Sequence, residues 1–291
     1  MPSTRDIRRR VKSVKNTAQI TKAMEMVASA KMRRAQLSAL ASRPYARVMY
    51  RMQRDVTTHA GDFTHPLLEA REVRRRAVLL VSSDKGMCGA LNSNLLREAA
   101  RYDRQFTTFI AAGRKAAQFI ARTKRDLAGE FTYRDNPTFS EARAIAKMTV
   151  DLFLSHKVDH VEILFNRFVS TLIQMPVSIQ FLPISEIKGM ALSPEEQAMP
   201  QMLEQTPEFL FEPNADHVLG ALLPNYLNLY VFQILLDAKA SEQSARMVAM
   251  KNATDNAKQI IKDLTLEYNK MRQTSITNEL LEISTAQMAL G

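Results

Sequence analysis

A chain of 291 residues, 46% hydrophobic and 24% charged, has the composition of a folded protein with a packed core, which excludes a disordered chain. Its single cysteine, Cys88, excludes a disulfide framework and a cysteine-based zinc site, and no run reaches the ~18 unbroken apolar residues of a membrane span. The net charge of +10 sits in residues 1–60, where 14 Lys/Arg face only Asp6, Glu25 and Asp55, so an acidic partner is expected there: nucleic acid, anionic lipid or acidic protein loops.

Glycine and proline divide the chain. From Ser3 to Ala60 there is no glycine and one proline, Pro44, and from Asn225 to Leu290 there is neither. The pattern predicts a helical rod, a globular middle and a second helical rod. In the first rod, Ser3 is the expected N-cap, with Asp6 as an acid in the first turn. Ile7, Val11, Val14, Ala18, Thr21, Ala28, Met32, Ala35 and Ala39 recur at 3–4 spacing and share one face, as in a coiled-coil seam. The seam is thin, since Glu25 occupies a seam position and alanine and threonine stand where a zipper has leucine. Residues 3–58 as a helix would span roughly 80 Å, with a kink or an end of the straight part at Pro44. The basic start (Arg5, Arg8, Arg9, Arg10, Lys12, Lys15) has no apolar signal core, although a transit peptide is also basic and acid-poor.

The middle alternates strand and helix. Ala77–Ser82 is a continuous apolar run expected of a buried parallel strand, and Ala90–Tyr102 has helical spacing. Between them lies SSDKGMCGALN, Ser82–Asn92, placed where nucleotide loops lie. It is neither G-x-G-x-x-G nor a P-loop, and a tight turn capped by Asp84 or Asn92 is the simpler reading. Cys88 in this turn has no histidine near it in sequence and reads as a small buried thiol. Thr107–Ala112 is the next strand, then helices over Arg114–Thr123 and Thr138–Ser155, then a strand at His160–Phe165 that Val169–Leu182 joins as a hairpin. This is a small Rossmann-like, doubly wound α/β domain over 74–190, followed by a proline-punctuated linker over 191–213.

The second rod is expected from 214 to 291, bent at Pro224. Its small residues Ala238, Ala245, Ala249, Ala253 and Ala257 admit close approach of another helix, and Ile260, Ile261, Leu264, Met271, Leu280 and Ile283 give a bulkier apolar face. Two half-apolar helices at opposite ends of the sequence most simply bury one another as a long antiparallel coiled coil, with 1–60 as the other partner. The fold class is thus α/β, with that coiled coil added.

No catalytic, cofactor or metal constellation emerges. His156 and His160 share helical spacing but straddle a helix-to-strand junction at Val158–Asp159, and Glu195–Glu196 read as solvated surface. The Arg8–Arg10 and Lys31–Arg34 runs suit phosphate contacts, yet Tyr45 and Tyr50 are the segment's only aromatics and no nucleic-acid module is present.

Three motifs are more specific. NTAQITKAMEMVASAKMRRAQ (16–36), SSDKGMCGALN (82–92), and SEQSARMVAMKNATDNAKQII (241–261) followed by YNKMRQTSITNELLEI (268–283) closely resemble the γ subunits of rotary F-type ATP synthases. The resemblance covers the whole chain in order. It implies a non-catalytic central rotor stalk whose coiled coil enters the α3β3 ring, whose α/β foot meets the ε subunit and the c-ring of Fo, and which passes torque between proton flow and the catalytic β subunits. It implies no cofactor, no nucleic-acid partner, membrane contact only through the c-ring, and, with no transit peptide evident, the cytoplasmic side of a bacterial plasma membrane. By position it implies contacts to α and β at Lys22, Met24 and Glu25, at Arg246, and at Arg272, Gln273, Thr277 and Glu279; Met24 is equally a seam residue. The chain departs from the family at its end, STAQMALG instead of a Gly-Ala pair, at Met87 where leucine is usual, and at Pro224.

Overall fold

The computed structural model describes residues 3–59, 65–184 and 215–290, with side chains for 3–41, 65–184, 217, 218 and 220–288. The linker expected over 191–213, with Glu195–Glu196, lies outside the described residues. The elements are α1 (Thr4–His59), β1 (Arg76–Val81), α2 (Leu91–Ala100), β2 (Thr107–Ala112), α3 (Arg114–Arg122), β3 (Asp126–Phe131), α4 (Phe139–Leu154), β4 (His160–Phe168), β5 (Gln174–Leu182) and α5 (Ala215–Leu290). They divide into two units, Met1–Ser29 with Arg246–Gly291, and Ala30–Ala245.

The first unit is a helix pair. Ser3 Oγ accepts from the Asp6 amide at 3.2 Å while the Asp6 carboxylate accepts from the Ser3 amide and hydroxyl, so the start of α1 is capped reciprocally. These bonds hold the Asp6 carboxyl below its usual range. Ile7 and Ala28 are buried, with Val11, Val14, Ala18, Thr21 and Glu25 half-buried between them, which is the seam read from the sequence. On α5 the facing residues are Met250, Ala253, Thr254, Ala257, Ile261, Leu264, Tyr268 and Met271. The Arg8 guanidinium donates to the Tyr268 hydroxyl at 2.6 Å and the hydroxyls of Thr21 and Thr254 lie 2.8 Å apart. Partner numbers fall on α5 as they rise on α1, so the pair is antiparallel. Small side chains at the seam let the two axes approach closely.

The second unit holds a five-stranded sheet in the order β3-β2-β1-β4-β5. The first four strands are parallel, and β5 pairs with β4 antiparallel as the expected hairpin. The chain moves outward from β1 through β2 to β3, then crosses to β4 on the other side of β1; this reversal makes the sheet doubly wound. One face packs α2 and α3 through Val78, Leu80, Leu95, Phe109, Ala116 and Ile120. The other packs α4 and α5 through Leu79, Ile145, Phe153, Ile163, Leu227 and Leu235. α4 starts with a complete Thr138–Glu141 capping box.

One strand was not anticipated from the sequence, and two prolines lie inside the long helices. β3 was not anticipated: as an edge strand it is only half-buried, is interrupted by Gly129, and has charges at Asp126 and Glu130, so it lacks the apolar run that marks β1. α1 runs through Pro44 to His59. Pro224 lies inside α5, and the carbonyl it leaves without an amide partner, four residues back, belongs to Gly220.

Candidate partner-binding helices and an occupied sheet edge

In doubly wound folds ligands bind beyond the carboxyl ends of the strands, beside the point where strand order reverses. Here that point lies between β1 and β4, and the loop after β1 is Ser82–Ala90, with Asn92 in the first turn of α2. Ser82, Ser83, Asp84 and Cys88 turn inward, while Lys85 and Met87 are exposed. Ser82 Oγ accepts from the Ala116 amide at 2.8 Å, Asp84 Oδ1 accepts from the Arg114 amide at 3.0 Å, and the Ser83 carbonyl accepts from the Lys115 amide at 3.2 Å. The first amides of α3, the group that would cradle a phosphate, are therefore bonded within the chain. Gly113 precedes them with φ +104°, and a Cβ there would collide with the Ser82 carbonyl, so glycine is required. Asn92 donates to Ser83 Oγ at 2.8 Å and to Cys88 Sγ at 3.2 Å, and Cys88 is buried. Asp84 thus caps α3 rather than α2, whose N-cap, Ala90, makes no side-chain bond.

α5 crosses the same edge. Ser241 Oγ donates to the Asn166 carbonyl at 2.9 Å, Asp237 Oδ1 accepts from the Phe168 amide at 3.2 Å, and Ser244 Oγ donates to the Thr171 carbonyl at 2.7 Å. Lys239 is 2% exposed, 3.0 Å from Glu242 and 3.8 Å from Asp135, with its ammonium 4.5 Å from the centre of the Tyr133 ring. Tyr133 donates to the Ser82 carbonyl at 3.0 Å, and burial, then the Glu242 charge, raises its phenol well above the ordinary value. Asp135 also takes Lys31 of α1 at 2.5 Å, and Ser38 of α1 bonds Asn136 at 3.3 Å. A buried lysine persists only with such partners. The sequence reading passed over Lys239, Glu242 and Asp135; the cue was a lysine inside an alanine-rich, small-residue stretch of a helix.

The residues expected to meet partners fall into three groups. Lys22 is exposed and pairs with half-buried Glu25 at 3.0 Å, one turn apart, and Met24 beside them is half-buried. Arg246 is buried. Arg272, Gln273, Thr277 and Glu279 are exposed, with Thr277 Oγ1 bonded to the Gln273 carbonyl of its own helix. On α1, Ile20, Met26 and Val27 stand outward, as do Arg5, Arg9, Arg10, Lys12 and Lys15, while exposed Arg8 reaches across to Tyr268. On α5 every described side chain from 272 to 288 is exposed, including Ile276, Leu280, Leu281, Ile283 and Met288. Leu280 and Ile283 were expected to join the coiled-coil face. They do not, because α1 begins at Thr4, opposite Met271, and the seam runs out there. Ile260 also faces outward. His156 follows α4 with positive φ and His160 opens β4, at the junction read from the sequence.

An α/β domain whose ligand edge is filled by its own helix, and a helix pair with apolar and cationic side chains on its outside, define a coiled-coil interaction protein built on a Rossmann-like domain. Comparison with known proteins agrees. The family model described as ATP synthase matches residues 3–290. The ATP synthase gamma chain of Opitutus terrae is 47% identical over 292 residues, 99% of each chain, and that of Methylacidiphilum infernorum is 44% identical over 296 residues, all of both. Among solved structures, a chain of the Tetrahymena thermophila mitochondrial ATP synthase central stalk and c-ring matches with TM-score 0.59 and 25% identity, over 80% of this chain and 99% of that one. A chain of the Euglena gracilis mitochondrial ATP synthase, OSCP/F1/c-ring, matches in fold with TM-score 0.67 at 20% identity, over 99% of this chain and 94% of that one. The chain belongs to the ATP synthase family, among its gamma chains. No helix among the described residues is long and apolar enough to cross a membrane.

Proposed function

We propose that the chain is the non-catalytic central rotor stalk of an F-type ATP synthase, transmitting torque between the proton-driven c-ring and the α3β3 hexamer. The observation that supports this most strongly is the end of α5. Residues 272–288 run past the start of α1 with five large apolar side chains in water, a feature expected of a helix that sits inside a sleeve of other subunits. The catalytic residues then belong to β, and this chain takes no cofactor.

Residues 1–60 and 214–291 form the shaft, 74–190 the foot against ε and the c-ring, and 191–213 a linker. Lys22, Met24 and Glu25, with Arg246, Arg272, Gln273, Thr277 and Glu279, meet α and β. A shaft must pass three equivalent surfaces without sticking to one, which suits exposed cations better than deep apolar anchors. Attraction between the basic start of α1 and acidic loops is long-ranged and screened, so it can be handed from one β to the next. A helix pair without threefold symmetry presents each β with a different face, and hence a different nucleotide affinity. Attachment to the membrane is peripheral, through the c-ring, on the cytoplasmic side of a bacterial plasma membrane.

Co-expression with the α and β subunits of the same organism tests this. The complex should contain one copy of the chain per three β, in the ratio set by a symmetric ring around one axle. Equimolar incorporation, or ATP hydrolysis by the isolated chain at an ordinary enzyme rate, would contradict it.

A further inference from the structure

Apolar packing holds α5 against the sheet but resists turning poorly. Leu223, Leu227, Val231, Ile234, Leu235 and Ala238 form that packing, and such contacts are non-directional. The next two turns are different. Asp237, Ser241 and Ser244 lie on one face of α5 and bond β4 and the β4–β5 turn, while Lys239 and Glu242 face the segment Tyr133–Asn136. At 3.6 residues per turn these two sets point about 160° apart, so the helix is gripped from opposite sides by directional bonds. The same segment grips α1 through Lys31–Asp135 and Ser38–Asn136. A buried ion pair contributes little net stability compared with a well-packed apolar substitute. Its consequence is orientation, because an ammonium caged by Glu242, Asp135 and the Tyr133 ring has one favourable position.

We propose that Lys239 is a positioning residue for energy coupling: clamped by Glu242 and Asp135, it locks α5 against rotation relative to the α/β domain, so that torque crosses between them without slip. This rests on the rotor-stalk reading. The lock acts through the helices and touches no nucleotide.

The test uses the whole complex in inverted membrane vesicles, measuring ATP hydrolysis and ATP-driven proton pumping for wild type, Lys239→Met, Lys239→Arg and Asp135→Asn. Asp135 is half-exposed in a loop, so its variant is the one least able to disturb folding. Asp135→Asn and Lys239→Met should assemble and keep hydrolysis within about twofold, while protons pumped per ATP fall by about tenfold, as when working parts are misplaced. Lys239→Arg should restore pumping. If Lys239→Met does not assemble, Asp135→Asn decides alone. Unchanged pumping per ATP in Asp135→Asn, or failure of every variant to assemble, would overturn the proposal. Wild-type complex that hydrolyses ATP but does not pump would instead overturn the rotor-stalk reading beneath it.

Discussion

Thr21 and Thr254, 233 residues apart in sequence, place their hydroxyl oxygens 2.8 Å from each other across the helix pair. Thr254 is buried and also bonds the Met250 carbonyl one turn back, so the contact sits inside the seam. With Arg8 on Tyr268, it fixes the register of the pair at two points. Thr21→Cys/Thr254→Cys in a Cys88→Ser background should form a disulfide on mild oxidation, read as a shift in non-reducing electrophoresis. Thr21→Cys/Ile261→Cys should not, since the second cysteine lies two turns, ~10 Å, along the helix.

Glu162 responds to acid. A hydrogen bond from His160, then bonds from Ser178 and Tyr102, outweigh burial and pull its carboxyl down to about 2; the Tyr102 phenol, half-buried and bonded to Glu162, rises to about 12. A depressed carboxyl stabilises the fold above its unfolded value near 4.5, and that contribution is lost as pH falls from there through about 2. Thermal melting between pH 7 and pH 2 should show a falling midpoint below about 4.5. Glu162→Gln should melt lower at pH 7 and show a shallower acid decline.

Two helices end on side chains that favour other conformations. Lys124 follows α3 and His156 follows α4, both with positive φ, and the amides of Arg125 and Lys157 reach back to Ile120 and Leu152. This is the Schellman arrangement, which prefers glycine. Lys124→Gly should stabilise by roughly 0.5–1 kcal/mol, the left-handed cost less the entropy glycine loses. Urea unfolding checks it, and the bond from Arg104 to the Lys124 carbonyl survives because it uses backbone.

Removal of residues 272–291 should leave the helix pair intact, because the described side chains of that segment are exposed. The melting midpoint should stay within about 1–2 °C of wild type, as expected when little is unburied, while coupling in the assembled complex weakens before assembly is lost.

The sequence was most legible where periodicity is local. The seam from Ile7 to Ala28 and the strands at β1 and β2 stand in the sequence as regular spacing or as an unbroken apolar run, and the structure places them accordingly. β3 was illegible because an edge strand need not be apolar. Lys239 went unread, since nothing local shows that residues 133–136, over a hundred positions away, will close around it. The exposure of Leu280 and Ile283 also escaped local reading: whether an apolar face is covered depends on where the partner helix begins. Long-range pairing, and not composition, decides such positions.

The most direct test is rotation. With the α3β3 ring immobilised and a bead fixed to the α/β domain of this chain, ATP should drive continuous one-way turning with threefold periodicity. ATP hydrolysis by the assembled complex with the bead stationary would contradict a rotor stalk.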